Sequence, residues 1–72
     1  MIYIIIGKCL LLDILNRKRM TQADLAAMTG IARTQINEYI ANTRKMSLVN
    51  AKLIAYVLRC HIDDLYEWEI KK

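Results

Sequence analysis

The sequence of 72 residues contains no proline, two glycines, two cysteines and one histidine. Because it lacks proline and has only Gly7 and Gly30 as glycines, the chain suits a mostly helical domain with short connections. Two cysteines are too few for a disulfide framework, and they do not form a C-x-x-C pair. We therefore expect Cys9 and Cys60 to be free thiols that pack as small apolar residues in a reducing cytoplasm.

The residue patterns of enzymes and metal proteins are also missing. His61 is the only histidine, and beside Cys60 it has no further ligand at the spacing of a metal site. The chain has no phosphate-binding glycine loop and no nucleophile paired with a base. We therefore predict that the protein is not an enzyme and that it uses no metal and no other cofactor.

The longest apolar stretch, residues 1–15, is too short and too interrupted to be a membrane segment. Lys8 and Asp13 divide it well before the ~20 apolar residues that a spanning helix needs. It also has no basic leading region and no small-residue cleavage site, so it does not resemble a signal peptide. The sequence predicts no membrane partner and a cytoplasmic location.

The residues that are present favour one small domain, residues 1–72, with an unevenly charged surface. Apolar residues make up 56% of the chain, which supports a packed core, and the formal net charge is +4. Residues 1–52 carry eight basic and three acidic side chains, whereas residues 53–72 carry three basic and four acidic ones. A basic surface in the first part would attract a polyanion, although an ordinary solvated surface is the simpler interpretation of charge alone.

Periodicity and capping residues predict strands at both chain ends and helices between them. The β-branched run at residues 2–6 favours a strand that Gly7 ends, and residues 66–70 alternate apolar with acidic side chains, as in a strand with one buried face. A lone strand is unstable, so we expect the two to pair in an antiparallel ribbon. Helices are predicted at about 8–18, 22–29, 33–41, after Ser47, and at 62–66.

Residues 22–41 carry the pattern with the clearest functional meaning. Thr21 and Asp24 form a short version of a capping box before one helix, and Gly30 supplies the turn to a second helix. Ala26 is small enough for the two helices to cross closely, and Ile36 lies where it would fill their interface. Two short helices joined in this way form a helix-turn-helix, which places its second helix in the DNA major groove. A helical hairpin with only a scaffold role remains the alternative.

These residues resemble the Cro/C1-type, or xenobiotic-response-element, helix-turn-helix repressors of phages and bacteria. The similarity runs from about residue 11 to residue 65. The matching segments are Met20–Ala26, Thr29–Ile31, Gln35–Ile36, Asn42–Lys45, Leu53–Ala55 and Ile62–Leu65. The resemblance implies an all-α, five-helix, lambda-repressor-like DNA-binding domain. The strand-like termini resemble a subset in which both chain ends form a small antiparallel two-stranded ribbon. Ala32 departs from the family's usual hydroxyl residue and is a poor N-cap.

Four polar side chains remain on the outer face of the second helix once its apolar residues are assigned to the core. We predict that they contact bases: Arg33 a guanine, Asn37 an adenine, Thr34 a thymine methyl or a phosphate, and Glu38 a cytosine amino group. An ion-paired or solvated role for Glu38 is an equally good interpretation. The predicted contacts to the DNA backbone are Thr21, Gln22, Gln35, Asn42, Arg44 and Lys45, although Gln22 could also be a simple exposed first-turn residue.

The function that the resemblance implies is sequence-specific binding of double-stranded DNA by a transcriptional regulator. We expect a repressor that binds a near-palindromic operator as a homodimer and takes no small-molecule ligand. The predicted dimer surface comprises Leu58, Ile62, Leu65 and Trp68. The alternative is an antitoxin or accessory module that uses the same fold to bind another protein, in which the acidic, aromatic tail could take part.

Overall fold

The computed structural model describes residues 1–72 and consists of four α-helices, a short 3-10 turn and two strands. The order along the chain is β1 (Tyr3–Cys9), α1 (Leu11–Arg17), α2 (Gln22–Thr29), α3 (Arg33–Ile40), α4 (Leu48–Leu58), the 3-10 turn (Ile62–Leu65) and β2 (Tyr66–Lys71). The helices surround one core, and the paired strands form a ribbon that brings the two chain ends together.

Local signals set the start of α2 and of α4, and the bounds predicted for α2 and α3 and the start predicted for α4 are confirmed. The Thr21 hydroxyl accepts from the Asp24 backbone N–H at 3.0 Å, and the Ser47 hydroxyl accepts from the Asn50 backbone N–H at 3.1 Å. No side chain caps α3, because Ala32 occupies its N-cap position. The start of α3 instead depends on the buried residues on either side of it, Ile31 and Ile36.

The core draws apolar side chains from every helix and from the inner end of the ribbon. No polar or charged residue is buried in it. The largest fully buried side chains are Leu11, Leu15, Leu25, Ile36, Tyr39, Ile54, Leu58 and Leu65. Because this one cluster holds α2 and α3 against α1 and α4, the helix-turn-helix has a fixed place in the molecule.

The ribbon is antiparallel, as predicted, but β1 is longer than the sequence suggested. Gly7 does not end the strand; it begins a β-bulge, since Ile6 pairs with Trp68 while Cys9 pairs with Tyr66. The extra residue changes the side-chain alternation, so that Cys9 lies beside Tyr66 and both are buried. The bulge therefore moves the start of α1 to Leu11, whereas the sequence placed it near Lys8.

Two further expectations need correction. The predicted fifth helix is a single 3-10 turn, Ile62–Leu65, and with two strands the fold is not all-α. The strand after it does not bury one whole face either. Tyr66 is buried, but Trp68 and Ile70 are 42% and 61% exposed, because the ribbon extends beyond the helices. The molecule is accordingly elongated, at 42 × 21 × 19 Å.

Candidate nucleic-acid interface

The helix-turn-helix consists of α2, a tight turn at Gly30 and α3. Gly30 adopts the left-handed conformation, with φ 77°, and its N–H donates to the Ala26 carbonyl at 2.9 Å. The buried side chains of Leu25, Ile31 and Ile36 fill the space behind the turn. The angle between the two helices is therefore held by a backbone turn and by packing together.

The Thr29 hydroxyl provides a second restraint on the turn, one that was not among the sequence-based predictions. It donates to the Leu25 carbonyl at 2.8 Å and accepts from the Ile31 N–H at 3.2 Å. One side chain thus links the last turn of α2 to the residue that enters the core before α3. Thr at the end of a helix was the available signal, since its hydroxyl bonds readily to nearby backbone groups.

The outer face of α3 presents three polar side chains to solvent. Arg33, Thr34 and Asn37 are all exposed, and their spacing places them on one face in the first half of the helix. None of the three makes a side-chain hydrogen bond or an ion pair within the protein. Their donors and acceptors are therefore available for groups outside the protein, such as the base edges of a DNA groove.

The opposite face of α3 is tied to α4 through one buried phenol. The Tyr39 hydroxyl lies 2.8 Å from Gln35 Nε2 and 3.0 Å from Asn50 Nδ2, and both amides donate to it. Gln35 is half-buried and takes part in this network, so its amide is not free in the way that the sequence suggested. These hydrogen bonds fix the rotation of α3, and with it the direction of the exposed face.

The loop after α3 is basic, and it is folded back onto the end of that helix. Asn42 is exposed and has φ 63°, the left-handed conformation that Asn tolerates well. The carbonyl of Glu38 accepts from the backbone N–H groups of Thr43 and Arg44, at 3.0 and 3.3 Å. Arg44 Nε also lies 3.3 Å from Glu38 Oε1. The ion pair favours Glu38 as an anchor of the loop over Glu38 as a base contact, while Lys45 is exposed and unpaired.

A contact from the far end of the chain holds the same loop. The Tyr66 hydroxyl accepts from the Met46 N–H at 3.0 Å, across 20 positions of sequence. Burial raises the pKa of this phenol above its ordinary value. The ribbon therefore positions the basic loop, a connection that no local pattern could have shown.

The N-terminus of α2, at the opposite end of that helix from Gly30, is a further polar region. Thr21 and Asp24 cap each other, with the Thr21 N–H donating to the Asp24 carboxylate at 3.0 Å. The Thr21 backbone N–H, followed by its side chain, holds the pKa of Asp24 below its ordinary value. Gln22 is half-buried as the first residue of the helix, where the helix dipole favours an anion.

The predicted dimer residues do not form one surface. Leu58 and Leu65 are 1% and 0% exposed, because they pack inside the core of a single chain, and we withdraw them as interface residues. Ile62 is half-buried beside them. Trp68 is exposed, and its Nε1–H donates to the Asp63 carbonyl at 2.9 Å. Apolar spacing alone had not shown whether these residues face the core or a partner.

No group of three or more His, Cys, Asp or Glu residues is placed to hold a metal ion. None of the helices has the length and the apolar character needed to cross a membrane. Cys9 is buried and Cys60 is half-buried, and both are free thiols.

Comparisons with known proteins agree with this geometry. Residues 11–71 match the sequence model of the Cro/C1-type HTH DNA-binding domain. The chain is 36% identical over 73 residues to the SPbeta prophage-derived uncharacterized HTH-type transcriptional regulator YopS of Bacillus subtilis (strain 168), covering 100% of this chain and 99% of the relative. YotL, a second SPbeta prophage-derived uncharacterized HTH-type transcriptional regulator from the same strain, is 27% identical over 61 residues, covering 83% of this chain and 76% of the relative.

One solved structure shows the same fold. The crystal structure of the transcriptional regulator VanUg superposes with a TM-score of 0.72 at 18% identity, covering 94% of this chain and 89% of that one.

Proposed function

Because this chain belongs to the Cro/C1-type helix-turn-helix DNA-binding family, we propose that it is a sequence-specific repressor that binds a near-palindromic operator as a homodimer. The observation that carries the proposal is the outer face of α3, where Arg33, Thr34 and Asn37 are exposed and unpaired on a helix that packing holds in place. Such side chains can distinguish base pairs by their edges in the major groove.

The contacts divide into those that read bases and those that fix position. Arg33 and Asn37 are suited to bidentate bonds with guanine and adenine, and Thr34 to a thymine methyl. The contacts to the DNA backbone would come from the N-terminus of α2, from α3 and from the loop after it: Thr21 and Gln22, Gln35, and Asn42, Arg44 and Lys45. Gln35 would use the second N–H of its amide, since the first donates to Tyr39. Contacts to phosphate set the register of a protein on the duplex but carry no sequence information.

Binding measurements with two variants test this division. The probes are a duplex that the wild-type protein enriches from a random-sequence pool and a scrambled duplex of equal length. Arg33→Ala should weaken binding to the enriched duplex by about 1–3 kcal/mol and relax one base position. Lys45→Ala should weaken binding to both duplexes alike and reduce the salt slope by about one.

Lys72→Ala is the matched control, since it also removes one exposed positive charge but lies at the end of the chain, next to β2. It should leave the affinity for both duplexes and the salt slope unchanged. If Arg33→Ala lost affinity equally for both duplexes, the assignment of base contacts to α3 would be wrong.

Repression is tested separately from binding. A footprint on the DNA upstream of the protein's own gene would locate an operator, and we expect it to overlap a promoter. Transcription from that promoter should fall as the protein concentration rises. Transcription that rises instead would make the protein an activator, and the DNA-binding assignment would still stand.

A further inference from the structure

The outer half of the ribbon is a surface that the single chain leaves without support. Ile2 to Ile6 are each between 37% and 68% exposed, and no backbone hydrogen bond outside the β1–β2 ladder involves them. An isolated two-stranded ribbon is only marginally stable in water, and three or more strands are usually needed. This part of the fold therefore lacks a neighbouring strand.

The two edges of the ribbon differ in charge. Along its outer half, β2 carries Glu67, Glu69 and Lys71, and charged side chains discourage the pairing of edges. The edge of β1 has no charged residue and no proline from Ile2 to Ile6. Lys8 is the first charge on β1, and it lies beyond Ile6 in the bulge. Another strand can therefore pair with the β1 edge without bringing charged side chains close together, whereas pairing with the β2 edge would do so.

We propose that a second copy of this chain docks on the β1 edge, so that two ribbons form one four-stranded antiparallel sheet in the order β2, β1, partner β1, partner β2. The inference rests on the homodimer of the proposed function and names its surface. A second copy fits because the edge is complementary to itself: an uncharged, β-branched segment meets the same segment running in the opposite direction.

The apolar segment also selects the register. With Ile4 on the two-fold axis, Tyr3 lies opposite the partner's Ile5 and Ile2 opposite the partner's Ile6. This arrangement uses all five apolar residues and leaves the bulge at Gly7 and Lys8 outside the new ladder. The equivalent pairing of the β2 edges around Glu69 would place that carboxylate directly opposite its own copy, which is destabilising.

Ile4 and Ile70 offer a matched pair of variants. They are directly opposed across the β1–β2 ladder and are 59% and 61% exposed, so either can accept a lysine without burying it. Ile4→Lys places two like charges at the new axis, whereas Ile70→Lys leaves the β1 edge unchanged. By sedimentation velocity without DNA, we expect at least a tenfold rise in the dimer dissociation constant for Ile4→Lys and little change for Ile70→Lys.

Mixing variants of opposite charge tests the register. Ile4→Lys and Ile4→Glu should each sediment as monomers, and an equimolar mixture should form a heterodimer because position 4 faces itself across the axis. Circular dichroism of each variant should keep the helical signal of the wild type, because residue 4 is exposed and lies outside the core.

The outcomes separate this inference from the proposed function. Wild-type protein that is monomeric throughout, or an Ile4→Lys protein that remains dimeric, overturns the β1 edge as the interface. Equal loss of the dimer in Ile4→Lys and Ile70→Lys also overturns it, in favour of face-to-face packing of the ribbons. The preference for DNA sequence is measured in a separate binding experiment. A dimer that binds the enriched and the scrambled duplex equally would contradict the proposed function and would leave the β1-edge interface unaffected.

Discussion

At the scale of single residues, the hydroxyl of Tyr39 has the most specific role in the candidate interface. It receives hydrogen bonds from an amide on its own helix and from one on α4, and its ring is buried in the core. The phenol thus satisfies two polar side chains at the edge of an apolar cluster. Removing only its oxygen keeps the packing of the ring but removes the hydrogen bonds from Gln35 and Asn50, the second of which joins α4 to α3.

We predict that Tyr39→Phe lowers the free energy of unfolding by about 1 kcal/mol, since one hydroxyl with two hydrogen-bond partners is lost while the half-buried amides can still reach water. Urea unfolding followed by circular dichroism measures the change. Tyr56→Phe is the control, because Tyr56 is 78% exposed. Equal losses in the two variants would show that the hydrogen bonds to Tyr39 contribute nothing.

At the scale of elements, the helix-turn-helix depends on a conformation that only its glycine adopts easily. Gly30 has φ 77°, and a Cβ added there would meet no atom within 4 Å. A substitution at this position is therefore opposed by the backbone alone and not by a steric clash. Variants of Gly30 therefore measure the free-energy cost of the left-handed backbone conformation without a contribution from steric clash.

Gly30→Ala should destabilise the protein by about 1–2 kcal/mol, which is the penalty of the left-handed region for an L-residue. Gly30→Asn should cost clearly less, because Asn visits that region more readily. Thermal or urea unfolding of both variants gives the comparison. A loss that is the same for Ala and Asn would indicate a steric cause and contradict this explanation.

The elements also show what a sequence can predict. Both ends of α2 followed from Thr21 and Gly30, and the start of α4 followed from Ser47, since caps and turns act over a few residues. The bulge at Gly7 could not be predicted in this way, because it arises from pairing with a strand about 60 residues later. Leu58 and Leu65 were misassigned for a related reason: apolar periodicity identifies the buried face but not what buries it.

The candidate site shows the same limit. The exposed face of α3 could be predicted by subtracting its apolar residues, and the structure leaves Arg33, Thr34 and Asn37 on that face. The supports of that face could not be predicted, because they join distant positions. Asn50 reaches Tyr39 across 11 residues, and Tyr66 reaches Met46 across 20. Such pairs have no local sequence signature.

At the scale of the whole molecule, one chain has a single α3 helix of eight residues, which under the proposed function would contact only a few base pairs. The operator complex of the proposed function would therefore use two copies of the chain on one duplex. If two chains join rigidly through their ribbons, the distance and the rotation between their α3 helices are fixed. The DNA must then present its two half-sites on the same face of the double helix, about one helical turn or 34 Å apart.

Changing the distance between half-sites tests this arrangement. In the duplex enriched by the wild-type protein, inserting about 5 base pairs between the half-sites turns one of them to the opposite face of the DNA. We expect this insertion to reduce affinity to that of a single half-site, measured by fluorescence anisotropy. The Ile4→Lys protein should be a monomer, which binds each half-site separately. Its affinity for the original and the altered duplex should therefore be equal. If the insertion left the affinity of the wild-type protein unchanged, the two copies would bind DNA independently. A fixed two-fold dimer would then be ruled out.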